Sequence, residues 1–462
     1  MNTLIVSGSI RSRESHAQYI IESASSSENL DQYISDIRSY QELGRAISNS
    51  DILAGAVSLA MKLEGATADF FPLIKLFPKR EQKISYGNNE QEREIAAKDT
   101  LALNEQHFID LKNKINNATG IVLVTPVYFG DRSSVANKLL QLSGIHNLIE
   151  DKVFGAVSVG AKRNGGQETT IIYSLFEALN QNAMIVGNGP PTSQYGGTGV
   201  GGRKGTVIDD LWGLETAYGT GARVTQVSKL LEAGKKTTFK GPVEILVLVT
   251  MDDTSQSLYK YMQQFLSRAE KRLSNTKFKL VNVLDKTIHR CIGCEKCPAK
   301  GLLDVGETPC IANHAHCIIS EPDDAMENIH EQMLQANGII IAGLNVKHHD
   351  QLVYRYQALM ERTRYIRRNH FELTNKLMTS FSLTQVGAKI NSLHAMKTVT
   401  SYIRHNSIMH KPIESYIVDN AIIEEGIEDL IHFVKYAEIF RAGADVTDIK
   451  APQYTTKGIG GY

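Results

Sequence analysis

Short apolar runs that alternate with helical patterns, stop once and then start again limit how this chain can fold more than any other feature. In the first half, the runs at residues 3–6, 120–125, 153–159 and 184–186 are rich in β-branched residues and bounded by Gly or Pro. Helical patterns lie between them at 133–142 and 169–182, and a further helix is expected over 211–232. Strands separated by helices pair in parallel, because the crossover returns each strand to the same end of the sheet. A polar segment, 81–106, reads as an insertion that turns helical toward its end. The stretch 233–242 (AGKKTTFKGP) is charged and punctuated by Gly and Pro, as linkers are. Immediately after it the pattern restarts with a strand at 243–250, then strands at 278–283, 338–343 and 377–383. Helices are expected at 255–273, 323–336, 352–364 and 390–406. The expectation is an α/β protein of two tandem doubly wound parallel-sheet domains, 1–235 and 236–462, each of ordinary domain size. Residues 446–462 carry a weak pattern and read as a tail.

Charge and hydropathy narrow the function classes. Fifty Lys and Arg balance fifty Asp and Glu, so no net field draws the chain to nucleic acid or an anionic membrane. No run of eighteen apolar residues occurs, and the opening MNTLIVSGSIRSR reads as a strand and polar loop rather than a leader peptide. A cytoplasmic location with no membrane or nucleic-acid partner is the expectation.

All five cysteines crowd into one stretch: Cys291, Cys294, Cys297, Cys310 and Cys317. The first three read CIGCEKC, a spacing that lets one short loop wrap a metal centre, as in thiolate-held iron–sulfur clusters. Reduced cytoplasmic thiols and an odd count both argue against disulfides. Zinc is the rival metal, with His314 and His316 as further candidate donors.

Three loops in the first half have the chemistry of a cofactor site. Gly8 permits a sharp turn after the first strand, and Ser9, Arg11, Ser12, Arg13 and Ser15 surround it with hydroxyls and cations suited to a phosphate at a helix N-terminus. The next strand ends in Pro126, Val127, Tyr128, Phe129 and Gly130, an aromatic pair suited to a flat heteroaromatic ring at the carboxyl edge of a sheet. Another ends in an open loop with Gly160, Arg163, Gly165 and Gly166, followed by Gln167, Glu168 and Thr169 at a helix start.

In order, GSIRSRES, TPVYFG and GGQETT resemble the NADPH-dependent FMN reductase family of flavodoxin-like proteins, and the cysteines resemble its iron–sulfur flavoprotein branch. The resemblance spans about residues 1–230, and 243–410 more loosely. It implies two tandem flavodoxin-like domains. Ser9, Arg11, Arg13, Ser15 and His16 then hold the FMN phosphate. The ring is lined by Pro126, Val127, Tyr128, Phe129 and Gly130, with Gly160, Arg163, Gly165, Gly166 and Glu168 against it. Gly196, Gly197, Thr198, Gly199, Gly205 and Thr206 look like the family's closing glycine-rich segment, and Trp212 reads as packing. Cys291, Cys294, Cys297 and Cys317 are the implied ligands of a [4Fe-4S] cluster, Cys317 by its position before the next helix, with Cys310 as the alternative fourth.

The second half departs from the pattern. Its phosphate-loop counterpart reads VTMDDTSQS, where Asp252 and Asp253 oppose a phosphate, so this half is expected to lack flavin. Arg362, Arg364, Arg367 and Arg368 read as a solvated or interdomain face, and His348 and His349 lie beyond a strand end. The resulting expectation is an FMN-dependent oxidoreductase that moves electrons between NAD(P)H or a reduced carrier, FMN and the cluster. Its partners would be a small-molecule acceptor or a redox carrier protein, and the plan is compatible with a homodimer. The rivals are an electron-transfer module without its own substrate site and a structural-zinc interaction protein.

Overall fold

The computed structural model describes residues 1–78, 101, 103–190, 192–294, 297, 317–319, 322–347, 353–368, 370–388 and 393–449. They form two compact units, Met1–Ser228 and Lys229–Tyr462.

The first unit holds β1 (Asn2–Ser7), β2 (Thr67–Pro72), β3 (Gly120–Tyr128), β4 (Asp131–Arg132), β5 (Val153–Gly160), β6 (Met184–Ile185) and β7 (Gly197–Val200). Its parallel ladder runs β2-β1-β3-β5-β6. The order reverses between β1 and β3, as in flavodoxin-like sheets, and ligands bind beyond the strand ends at such a switch point. Every residue of β5 is buried, as expected of a strand covered on both faces. Small residues let the cover sit close. A Cβ on Gly120 would lie 2.7 Å from Val224, and one on Gly155 also 2.7 Å from it, so the helix Leu211–Lys235 rests directly on the sheet.

Two parts of this unit are not what the sequence pattern predicts. Between β1 and β2 stand three helices, Glu14–Ser26, Leu30–Glu42 and Asn49–Leu63. Strand β2 itself is half exposed at the sheet edge, so TADFFP lacks the apolar run by which a strand is recognised. The helix Asn49–Leu63 is buried from Ser50 to Met61. Tyr33 lies over its Gly55, where a Cβ would stand 2.0 Å from the Tyr33 hydroxyl, and that hydroxyl donates to the Ile52 carbonyl at 2.8 Å. The glycine-rich segment forms β7, which pairs in parallel with Val157–Gly160 of β5.

The second unit repeats the plan with β8 (Val243–Met251), β9 (Thr276–Asn282), β10 (Gly338–Asn345), β11 (Leu377–Gln385), β12 (Ile408–Met409), β13 (Ile413–Val418) and β14 (Ala421–Ile423). The ladder β9-β8-β10-β11-β12 is parallel and again reverses beside its first strand. The β13–β14 hairpin extends it along β11, and the helix Ile427–Val446 packs on the sheet. Among the described residues, no helix is long and apolar enough to cross a membrane.

Candidate functional site

The carboxyl ends of β1, β3 and β5 open onto a cleft in the first unit. Ser9 and Arg11 line it from the turn after β1, and Pro126, Val127 and Tyr128 from the end of β3. Gly160 and Ala161 line it from the end of β5. Ser48, Asn49 and Ser50 come from the start of the helix Asn49–Leu63, and Gly201, Gly202 and Lys204 from the turn after β7. The helix whose N-terminus meets the cleft is therefore not the one that follows the first loop in sequence.

Local hydrogen bonds fix this arrangement. Ser48 donates to the Ser9 hydroxyl at 2.6 Å, and the Arg11 amide donates to the same oxygen at 3.2 Å. The Asn49 amide donates to the carbonyls of Gly201 (2.9 Å) and Arg203 (2.8 Å), and its oxygen accepts from the Val207 amide at 3.2 Å. One side chain thereby ties the Lys204 turn to the helix start. Gln41 adds a bond to the Gly205 carbonyl at 3.2 Å, so the inserted helices brace the same turn.

Of the residues expected to hold a phosphate, Ser9 and Arg11 face the cleft. Arg13 and Ser15 are exposed around the start of the inserted helix Glu14–Ser26, and His16 packs edge-on against Tyr40 at 6.0 Å. Burial pushes the His16 imidazole down, with Lys204 and Arg13 adding to the effect. Neither Arg13, Ser15 nor His16 lines the cleft. Ser48, Asn49, Ser50 and Lys204 join the cleft without any of the three loop motifs containing them. The signal for the first three was present: SNSD before an apolar run marks a helix start.

The side of the cleft expected to meet a flat ring is built by two loops in contact. Phe129 and Gly130 both have left-handed backbones (φ 52° and 78°), and Phe129 is fully exposed. A bulky residue with positive φ is an outlier that the surroundings must enforce. Gly166, at φ 98°, approaches so closely that a Cβ there would sit 2.8 Å from the Gly130 Cα. Gln167 organises the second loop: its oxygen accepts from the Gly165 amide at 2.8 Å, and its amide donates to the Lys162 carbonyl at 2.7 Å. Arg163 is turned to a structural task, paired with Asp210 at 2.5 Å and donating to the Thr198 carbonyl at 3.2 Å. Glu168 is exposed and lies outside the cleft lining.

Beneath the helix start lies Asp51, fully buried. Its Oδ1 accepts from the Ser7 hydroxyl at 2.6 Å, and the Ser12 hydroxyl also acts on the carboxyl. Burial pushes the carboxyl from 3.8 up to about 6, against the pull of the Ser7 bond.

The second unit treats the equivalent helix start differently. Asp252, after β8, is fully buried, and its carboxylate accepts from the amides of Asp253 (2.8 Å), Leu258 (2.9 Å) and Tyr259 (2.9 Å). Asp253 accepts from the Ser257 amide at 3.0 Å and its hydroxyl at 2.7 Å. The donors at the start of the helix Ser257–Glu270 are thus met by the chain's own carboxylates.

Cys291, Cys294, Cys297 and Cys317 are free, half-buried thiols, and Cys310 lies outside the described residues. Burial raises the Cys297 thiol. Arg364 and Arg368 are close enough to pull it down, and Cys317 and Cys291 close enough to push it up. Three thiols therefore share one neighbourhood with two guanidinium groups, a donor set that suits a thiolate-held metal group. No three metal-binding side chains converge as a finished cage among the described residues. Arg362 is not part of a solvated face. It is buried against Asp324 at 2.5 Å. Arg364 is exposed, while Arg367 and Arg368 are half-buried. His314, His316, His348 and His349 lie outside the described residues.

Comparison with known proteins bears on the first unit. The profile of the NADPH-dependent FMN reductases matches residues 43–193. An iron–sulfur flavoprotein of Methanocaldococcus jannaschii is 44% identical over 128 residues, covering 27% of this chain and 65% of the relative. The chain thus spans just under two thirds of that relative's length. An NAD(P)H dehydrogenase (quinone) of Nitrobacter winogradskyi is 30% identical over 192 residues, covering 41% of this chain and 87% of the relative. Among solved structures, a WrbA-like flavodoxin from Agrobacterium tumefaciens aligns with 49% of this chain and 97% of its own, at 18% identity and a TM-score of 0.28.

Proposed function

The chain belongs to the NADPH-dependent FMN reductase family, and from that premise we propose that it is an NAD(P)H-dependent FMN oxidoreductase with its flavin in the first unit. One contrast carries the reading. Two units share a strand order, yet the helix start of the second is filled by Asp252, while that of the first faces an open cleft with serines and cations. Ser9, Ser48, Ser50, Arg11 and Lys204 suit the phosphate of FMN at the N-terminus of the helix Asn49–Leu63. Val127, Tyr128 and the touching loops at Gly130 and Gly166 suit its ring. FMN supplies the group that accepts a hydride or single electrons. The chain's own part is to seat it: Asn49 holds the Lys204 turn in place, and Gln167 sets the second loop.

In this reading Cys291, Cys294, Cys297 and Cys317 hold a [4Fe-4S] cluster in the second unit, supported by the shared thiol neighbourhood and by the name of the relative from M. jannaschii. The partners are a small-molecule electron acceptor or a redox carrier protein. The test is an anaerobic purification with FMN, iron and sulfide quantified per chain, followed by NADH and NADPH oxidation. About one FMN per chain and turnover with either nucleotide are expected. A chain that takes up no FMN from a saturating solution would sink the proposal.

A further inference from the structure

The cysteine stretch begins and ends on two strips of chain that lie side by side. Thr287 and Asp324 form an isolated parallel bridge, and the Ala325 amide donates to the Thr287 carbonyl at 2.9 Å. The His289 Nε2 lies 3.2 Å from the Asp323 carboxylate, an exposed contact of small energetic worth. One buried side chain reaches both strips. Arg362, at the end of the helix Val353–Arg362, donates through Nη1 to the His289 carbonyl at 2.8 Å and to Asp324 at 2.5 Å. Its Nη2 donates more weakly to the Ile319 carbonyl at 3.4 Å. His289 lies two residues before Cys291, and Ile319 two residues after Cys317. The guanidinium and its carboxylate are only 2% and 3% exposed.

We propose that Arg362 is a positioning residue that clamps the base of the cysteine loop shut, holding Cys317 beside Cys291 and Cys297. The planar fork makes this assignment specific. A guanidinium presents donors in fixed directions and so joins a carboxylate and two carbonyls at once, which a lysine ammonium on a flexible stem does not reproduce. The pair is out of water, so losing either partner strands a buried charge and opens the base. A closed base also shortens the search that Cys317 makes for the other thiols, which acts as a rise in effective concentration. Metal capture is the consequence for the proposed function, and only that arm of the test rests on it.

The experiment uses the full chain with Arg362→Gln, Arg362→Lys and Asp324→Asn, each checked by circular dichroism. In metal-free protein, a short bifunctional thiol reagent is applied and the Cys297–Cys317 crosslink is quantified by mass spectrometry. Its yield rate should fall roughly tenfold in Arg362→Gln and remain low in Arg362→Lys, as expected for a lost effective concentration. After anaerobic iron and sulfide loading and one-electron reduction with dithionite, the variants should hold less iron, and the residual centre should show an altered electron paramagnetic resonance signal. A generally loosened fold would lower iron without changing that signal. If Arg362→Gln does not fold, Arg362→Lys decides by the same readouts. Crosslinking at the wild-type rate in a folded variant overturns the clamp. If the wild-type chain binds no metal, the reading of a cluster fails, while the crosslinking rate still decides the role of Arg362.

Discussion

Replacing Asp51 by Asn tests the electrostatics under the candidate flavin cleft most directly. The carboxyl is fully buried, accepts one hydrogen bond from Ser7 and is raised from 3.8 to about 6. A folded-state value above the unfolded one means that the native chain binds this proton more tightly. The associated stability is fully present below 3.8 and is lost as pH rises through about 6. The shift of about 2 units corresponds to about 3 kcal/mol at roughly 1.4 kcal/mol per unit. Asn keeps the oxygen that Ser7 uses and cannot ionise, so the variant should lack this term. The stability of Asp51→Asn relative to the wild type should therefore improve by about 2.5 kcal/mol between about pH 4 and about pH 7.5, most of the total. Trp212, the single tryptophan, is half-buried in the first unit, so its fluorescence in urea reports on that unit without interference from the second. A wild-type-minus-variant difference that stays constant across that range would refute the argument, because Asp51 would then titrate as an ordinary carboxyl or stay charged throughout.

Other perturbations reach the remaining features. Gly166→Ala places a Cβ 2.8 Å from the Gly130 Cα at a φ of 98°, so FMN affinity, followed by quenching of flavin fluorescence, should drop at least tenfold, with a strain of about 1–3 kcal/mol. Asp252→Ala removes an acceptor of three backbone amides and should lower the unfolding free energy of the second unit by about 1–2 kcal/mol while leaving FMN per chain unchanged. A second equivalent of FMN in the wild type would contradict the assignment of one flavin to the chain. Cys297→Ser should abolish bound iron and leave the yellow flavin spectrum in place, and loss of both together would mean that the two centres are not housed separately.

The alternation of apolar runs was legible because buried parallel strands announce themselves: VEILVLVT and GIIIAG sit where the pattern put them, in β8 and β10. Edge strand β2 was not, since only its last two residues are buried. The candidate cleft was legible at Ser9, Arg11 and the end of β3, which line it because each of these loops follows its strand directly. Arg13, Ser15 and His16 lie outside the cleft lining, because a two-helix insertion separates β1 from the helix that points at the cleft. Ser48, Asn49 and Ser50 occupy in space the place those residues held in the linear pattern. Arg362 shows the same limit from another side: its arginine-rich string reads as a solvated or interdomain face, and only the fold reveals that one guanidinium turns inward to Asp324.

If the flavin sits in the first unit as proposed, the carboxylate at the start of the helix Ser257–Glu270 makes the two units unequal in their response to ligand supply. Anything that binds only the native form adds to its stability in proportion to the logarithm of ligand supply. On the proposed assignment of FMN to the helix start of the amino-terminal unit, that unit gains or loses this reserve as flavin supply rises or falls. Its sibling carries a permanent substitute anion as part of its own covalent chain. On that assignment, withholding flavin would lower the stability of the amino-terminal unit and leave the other unchanged.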